Sequence, residues 1–280
     1  MADESRSAFD EDTTLEALPG DGLTFRAGMS HRWDTVGPPN GGFLLALAAR
    51  SLARAVPFPD PVTVTGHFLR PARHTPVELT SEPVRAGTTH ATATGRLLQD
   101  GKEILRTLAT FSDLQQAGGP TESGGRPPSM PPPEECRPVA GLRFSAWDDL
   151  PGRLPALYRS IDVRIGSTDR REEGEIARLE GWMRFSDDRE PDVAALPLLA
   201  DVFPPAVLDI AHAAWVPTVE LTVHVRARPA PGWIAASFRT KFLCEGYFEE
   251  DGELWDSTGR LVALSRQLAV TRTRRPTETT

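Results

Sequence analysis

The sequence is poor in the residues and motifs on which several kinds of protein chemistry depend. It holds two cysteines, Cys136 and Cys244, in 280 residues. Two thiols make no disulfide framework, and they fit a reducing compartment. Six histidines (His31, His67, His74, His90, His212 and His224) are scattered without metal-ligand spacing, so no metal site is read from them. There is no G-x-S-x-G nucleophile elbow, no P-loop, no G-x-G-x-x-G and no H-E-x-x-H. Long apolar runs are also missing. The longest, Phe43 to Ala49, ends at Arg50, far short of the ~20 residues a membrane-spanning helix needs. A basic surplus is absent too: 31 Lys and Arg face 39 Asp and Glu, for a net charge of -8. That balance argues against nucleic acid as the main partner, because phosphate binding needs cations. The first 16 residues carry six acidic groups and one basic one. A secretory signal needs a positive start and an apolar core, so the expected location is the cytoplasm, with no membrane partner.

What is present is ordinary globular composition, 39% apolar and 25% charged, which excludes wholesale disorder. Any chemistry must use carboxylates, hydroxyls, amides and backbone N–H groups, and no cofactor is expected. One segment divides the chain. Residues 114–136 hold six prolines and four glycines, a composition that packs neither as a helix nor as a central strand. Extended, this linker spans roughly 70 Å at about 3.1 Å per residue.

The two sides of the linker repeat each other. Asn40 to Val56 reads as a buried helix with Asn40 as N-cap. Four strand candidates follow: Val62–Leu69, Val77–Arg85, Thr88–Leu98 and Glu103–Phe111. After the linker, Tyr158–Ile165 and Ile176–Phe185 read as strands and Asp192–Val202 as an apolar helix. Four more strands then follow at Thr218–Val225, Ile234–Leu243, Gly246–Leu254 and Leu261–Val270. His67 and His224 occupy matching places 157 residues apart, and Gly101 and Gly259 do so at 158. The expectation is an internal duplication. The units are an acidic N-terminal tail (1–19), a first unit (20–113), the linker (114–136), a second unit (137–272) and a C-terminal tail (273–280).

Four segments carry a resemblance: GPPNGGFLLAL at 37–47, VTGHFLRPA at 64–72, LLADVFPPAVL at 198–208 and RQLAV at 266–270. In this order and spacing they resemble the acyl-CoA thioesterase II-like family, the double-hotdog thioesterases. The resemblance implies an α+β double hotdog. Each unit would wrap a long helix in an antiparallel sheet, and the two sheets would join into one. It implies hydrolysis of acyl-CoA-type thioesters to free acid and thiol. It also implies a carboxylate, a hydroxyl and an amide holding the attacking water. These map onto Asp201, Thr218 (with Thr222 as the fallback) and Gln267. The run Val219–Thr222 departs from the family's commoner pattern, which leaves the hydroxyl the least fixed of the three. A hotdog hydratase using His67 or His224, and a non-catalytic thioester-binding protein, are the alternatives.

Residue chemistry adds to the resemblance. A carboxylate ionised at neutral pH can take a proton from water. Asn40, Gly41 and Gly42 open a helix, where N–H groups can meet a developing oxyanion and missing side chains admit substrate. Ala109 falls opposite Gln267 in the repeat, so one complete constellation is expected, in the second half. The expected partners are an acyl-CoA or acyl-carrier thioester and a second copy of the chain in a homo-oligomer. Arg70 and Arg73, or Arg226 and Arg228, could meet nucleotide phosphates, or form plain surface charge.

Overall fold

The structure is a computed structural model, and it describes residues 6–142, 154–167, 171–210 and 216–271. His212 and the C-terminal tail at 273–280 lie outside the described residues.

The first half runs α1 (Ala8–Asp12), β1 (Glu16–Ala17), β2 (Thr24–Ala27), α2 (Gly41–Leu52), β3 (Asp60–Phe68), β4 (Val77–Ala86), β5 (Ala91–Gln99) and β6 (Lys102–Ser112). The second half runs β7 (Arg137–Pro138), α3 (Leu157–Ser160), β8 (Ile161–Ser167), β9 (Ala177–Phe185) and α4 (Leu196–Leu199). It continues through β10 (Thr218–Val225), β11 (Ile234–Thr240), β12 (Leu243–Cys244), β13 (Tyr247–Trp255) and β14 (Leu261–Val270). Residues 114–132 carry neither helix nor strand.

Among the described residues, all fourteen strands belong to one antiparallel sheet. Its order is β1-β2-β4-β5-β6-β3-β10-β14-β13-β11-β9-β8-β7, with β12 beside β13. Outward from the β3–β10 seam the two sides mirror each other through six strands, and β7 adds a seventh at the edge of the second half. The register carries the repeat to single residues. Thr65 pairs with Thr222 across the seam, and these two are the residues that a shift of 157 makes equivalent. A pseudo-twofold axis therefore passes between them, and their hydroxyls hydrogen-bond at 2.9 Å. The fold is the expected double hotdog, with both central helices on one side of the sheet, α2 against α4.

The helix α2 starts where the sequence places it and ends at Leu52, short of the expected Val56. Asn40 Oδ1 accepts from the Phe43 N–H at 2.9 Å, and every residue from Gly42 to Ala49 is buried. A helix apolar on all sides must be covered all round. The sheet covers one side of it and the turn of α4 the other.

Two expected elements differ. The helix expected over Asp192–Val202 is a single turn, Leu196–Leu199. Pro197 has no N–H to give back to residue 193, and Asp192 Oδ1 instead captures the Ala195 N–H at 2.9 Å, turning the chain. The strand expected from Tyr158 starts at Ile161, because Leu157–Ser160 forms the helical turn α3, anchored by Leu157 N–H on the Asp34 carbonyl at 3.2 Å. The acidic N-terminal segment is docked onto the core. Phe9 is fully buried, its ring 5.9 Å from Trp33 and 5.5 Å from Phe185, and Arg189 pairs with Asp10 beside it. Cys136 and Cys244 are both free thiols. No helix among the described residues is long and apolar enough to cross a membrane.

Candidate active site

A cavity of about 710 Å³ opens between the entry to α2 and the start of β10. Asn40, Gly41, Tyr158, Asp201, Thr218 and Gln267 all stand on its wall. The residues singled out from both halves of the sequence therefore meet in one place, except Gly42, which sits just behind.

Asp201 ends the turn that follows α4, its N–H donating to the Leu198 carbonyl at 2.9 Å. The α2 helix packs directly on that turn. A Cβ at Gly42 would lie 2.6 Å from the Pro197 carbonyl oxygen and 2.7 Å from Asp201 Cβ. Only glycine permits this approach. It lets the Gly42 N–H reach Asp201 Oδ2 at 2.8 Å. Asn40 Nδ2 donates to the same oxygen at 3.0 Å and to the Asp201 carbonyl at 2.8 Å. Asn40 thus caps α2 with its oxygen and holds Asp201 with its nitrogen. Two helix-end donors expected to face substrate are engaged by the carboxylate instead. The Gly41 N–H makes no hydrogen bond among the described residues, and Gly41 lines the cavity.

Burial pushes the Asp201 pKa up to about 6, against the opposing pull of the Gly42 and Asn40 donors. Asp201 Oδ1 has no hydrogen-bond partner among the described residues. Tyr158 is half-buried nearby, and desolvation together with the Asp201 charge raises its hydroxyl well above the usual phenol range.

A second chain of contacts crosses the strands. Thr218 Oγ1 donates to Gln267 Oε1 at 3.0 Å. Gln267 Nε2 donates to Glu250 Oε1 at 2.9 Å. Glu250 Oε2 accepts the Ala206 N–H at 2.6 Å. Thr218 and Thr222 face different ways although four residues separate them. The pairing of β10 with β14 slips between Thr218 and Glu220. Such a bulge re-aims a side chain: Thr218 reaches Gln267 on the cavity side, while Thr222 bonds Thr65 and Glu220 at the seam.

Neither strand histidine reaches the cavity. His67 and His224 are exposed on β3 and β10, so the two residues a hydratase would use stand away from the candidate site. Of the four arginines, Arg70 alone is on the cavity rim. Arg73 pairs with Asp100 and Arg228 with Asp60.

Sequence reading missed Glu250 and Tyr158. Glu250 hides in the acidic run Glu249–Glu253, and only strand alternation would turn it inward. Spacing also concealed the cluster His31, Asp34 and His74, whose possible metal-ligand atoms lie within 4.8 Å of one another. The imidazoles stack with centroids 3.6 Å apart, and each puts one nitrogen on an Asp34 oxygen, at 2.9 and 2.7 Å. Those hydrogen bonds account for the grouping without an ion, and His31 is exposed.

Both halves of the chain match one family. Residues 29–112 match the model of the acyl-CoA thioesterase N-terminal domain, and residues 133–271 that of the acyl-CoA thioesterase C-terminal domain. A crystal structure provisionally described as a thioesterase II, from Thermobifida fusca YX, is 28% identical, with a TM-score of 0.82 over 96% of this chain and 99% of that one. A hot dog fold protein of unknown function from Alicyclobacillus acidocaldarius is 26% identical, with a TM-score of 0.80 over 96% and 100%. A thioesterase-like protein of Talaromyces wortmannii is 24% identical over 94% of this chain and 91% of its own length.

Proposed function

This chain belongs to the acyl-CoA thioesterase family, and from that premise we propose how it hydrolyses its thioester: Asp201, Thr218 and Gln267 hold and activate one water at the cavity wall. One observation carries the reading. Asp201, a residue of the cavity wall, spends Oδ2 on two N–H donors at the start of α2 and leaves Oδ1 without a hydrogen-bond partner among the described residues. A carboxylate pushed up to about 6 is still mainly ionised at pH 7, and it is a stronger base than an ordinary one.

Asp201 Oδ1 takes a proton from water, whose remaining lone pairs and hydrogen are oriented by the Thr218 hydroxyl and the second amide hydrogen of Gln267. The hydroxide adds to the thioester carbonyl carbon. The resulting oxyanion lies against the Gly41 N–H at the positive end of α2, where fixed donors stabilise it. The carbon–sulfur bond then breaks, and the proton held by Asp201 passes to the departing thiolate. The products are a free acid and a thiol. The acyl chain would lie among Leu44, Phe68, Val202 and Phe203, and Arg70 would meet phosphate at the mouth.

The test is thiol release from a panel of straight-chain acyl-CoA esters, acetyl to palmitoyl, by the wild type and by Asp201→Asn. An acyl-carrier thioester of the preferred chain length decides between the two carriers. Release by the wild type with strong loss in the folded variant supports the reading. Equal release by both would leave Asp201 without the role given to it.

A further inference from the structure

We propose that Glu250 is a positioning residue of this site: its carboxylate locks the Gln267 amide in the orientation that makes Thr218 a donor to that amide and turns the Thr218 lone pairs toward the water. The inference rests on the water-activating role given above to Asp201, Thr218 and Gln267.

Gln267 is buried and has two ends of nearly equal shape. Thr218 alone cannot choose between them, because a hydroxyl both donates and accepts. An ionised carboxylate only accepts. Glu250 stands directly across from Gln267 in the β13–β14 register and takes the amide nitrogen at 2.9 Å. The carbonyl end must then face Thr218, and the Thr218 proton must point at it. One hydrogen of Gln267 Nε2 has no partner among the described residues. Without Glu250 the amide could turn over, Thr218 would become the acceptor, and its proton would no longer be fixed.

The carboxylate is not needed to build the sheet. Gln267 pairs with Leu221, as Ala109 pairs with Val64, and residues 64 and 221 are equivalent by the repeat. Glu250 pairs with Gln267, as Ala93 pairs with Ala109. The first half therefore fills the same two cross-strand places with buried alanines, 0% and 1% exposed. Burying a carboxylate is costly, and in the second half the chain carries one, 4% exposed, behind the amide of the site.

The groups packed around Glu250 make it titratable in the working range. Asp201 and Asp251 are the charges that act on it. β14 presents the uncharged Gln267, residues 206–209 present the Ala206 N–H, and β11 presents Phe238 near Gly252. Burial first, and those two negative charges, push Glu250 up to about 7. Both Asp201 and Glu250 must then be ionised for full turnover. Activity should rise with pH with a limiting slope near two in log kcat, levelling above pH 7.

The experiment measures kcat, KM and pH profiles for the fastest-hydrolysed straight-chain acyl-CoA. It uses wild type, Glu250→Gln, Glu250→Ala, Gln267→Ala and the double Glu250→Ala/Gln267→Ala, with Asp201→Asn as the arm that tests the underlying reading. The double variant copies the Ala93–Ala109 pair, so it is expected to fold, as circular dichroism would verify. Expected are a roughly 10- to 100-fold fall in kcat for Glu250→Ala, KM changed less than about threefold, and an acid slope reduced to one in Glu250→Gln. The double variant should lose no more than Gln267→Ala alone, since Glu250 acts through that amide. Multiplicative losses, or a wild-type pH slope in Glu250→Gln, overturn the proposal while leaving the Asp201 role intact. A fully active, folded Asp201→Asn overturns both, and the two failures are thus told apart.

Discussion

At the scale of single residues, the site turns on a carboxylate kept in a costly place. Asp201→Asn can present its amide oxygen where Oδ2 sits and keep both the Gly42 and Asn40 donors. It removes only the base. We expect kcat to fall about 10²–10⁴-fold, with the melting temperature unchanged or higher by about 2–4 °C. The sign follows from proton linkage. The folded-state pKa, about 6, lies above the unfolded value near 3.9. The folded protein therefore binds the extra proton between those values, and this group's contribution to stability falls as pH rises from about 4 to about 6. Activity runs the other way and increases over the same approach to neutrality, so a pH series of kcat set against one of denaturant midpoints would separate the two. The two threonines give a second contrast. Thr218→Ala should cut kcat by ten-fold or more. Thr222→Ala should leave kcat alone and cost about 1–2 kcal/mol of stability, the usual worth of its hydrogen bonds to Thr65 and Glu220, read by urea unfolding.

At the scale of elements, the α2–α4 contact sets where the base stands. Gly42→Ala would put a Cβ against the Pro197 carbonyl. The helices must then part, at about 1–3 kcal/mol for overpacking, and the Gly42 bond to Asp201 lengthens. We expect a lower melting temperature and a lower kcat together, in thermal melts and the thiol assay. The sequence made much of this level legible. Asn40 followed by an apolar run announced α2 and its cap, and the alternation in Thr218–Val225 and Leu261–Val270 gave both strands at their observed limits. It did not reveal that Asp192–Val202 holds a single helical turn, Leu196–Leu199, because an apolar run without visible hydrogen bonds looks helical until Pro197 is counted as a missing donor. Nor could it decide between Thr218 and Thr222. That choice belongs to a bulge, a slip in pairing between two distant segments, which neither segment records alone. Glu250 was hidden for the same reason, since its meaning lies in what stands across from it.

At the scale of the whole molecule, the seam between β3 and β10 joins the halves through paired backbone from Val64 to His67 and Glu220 to Val223. The connecting segment at 115–127 is exposed throughout, and exposed chain without regular structure is where proteases cut. A nick there should leave the halves together, giving one peak in size exclusion, two bands on a denaturing gel, and retained thioester hydrolysis. Dissociation on nicking would mean that the covalent link, and not the seam, holds the sheet. The pseudo-twofold axis at Thr65 and Thr222 also bears on how such a protein can change over generations. In a dimer of identical units every substitution is made twice, and a helpful residue at one site arrives with its copy at the other. Joined in one chain, the two halves mutate separately. The pair Ala93–Ala109 and the pair Glu250–Gln267 occupy one place in the pattern and have parted company, one toward plain packing and the other toward polar contacts. Each half can change in a direction that its twin does not have to tolerate.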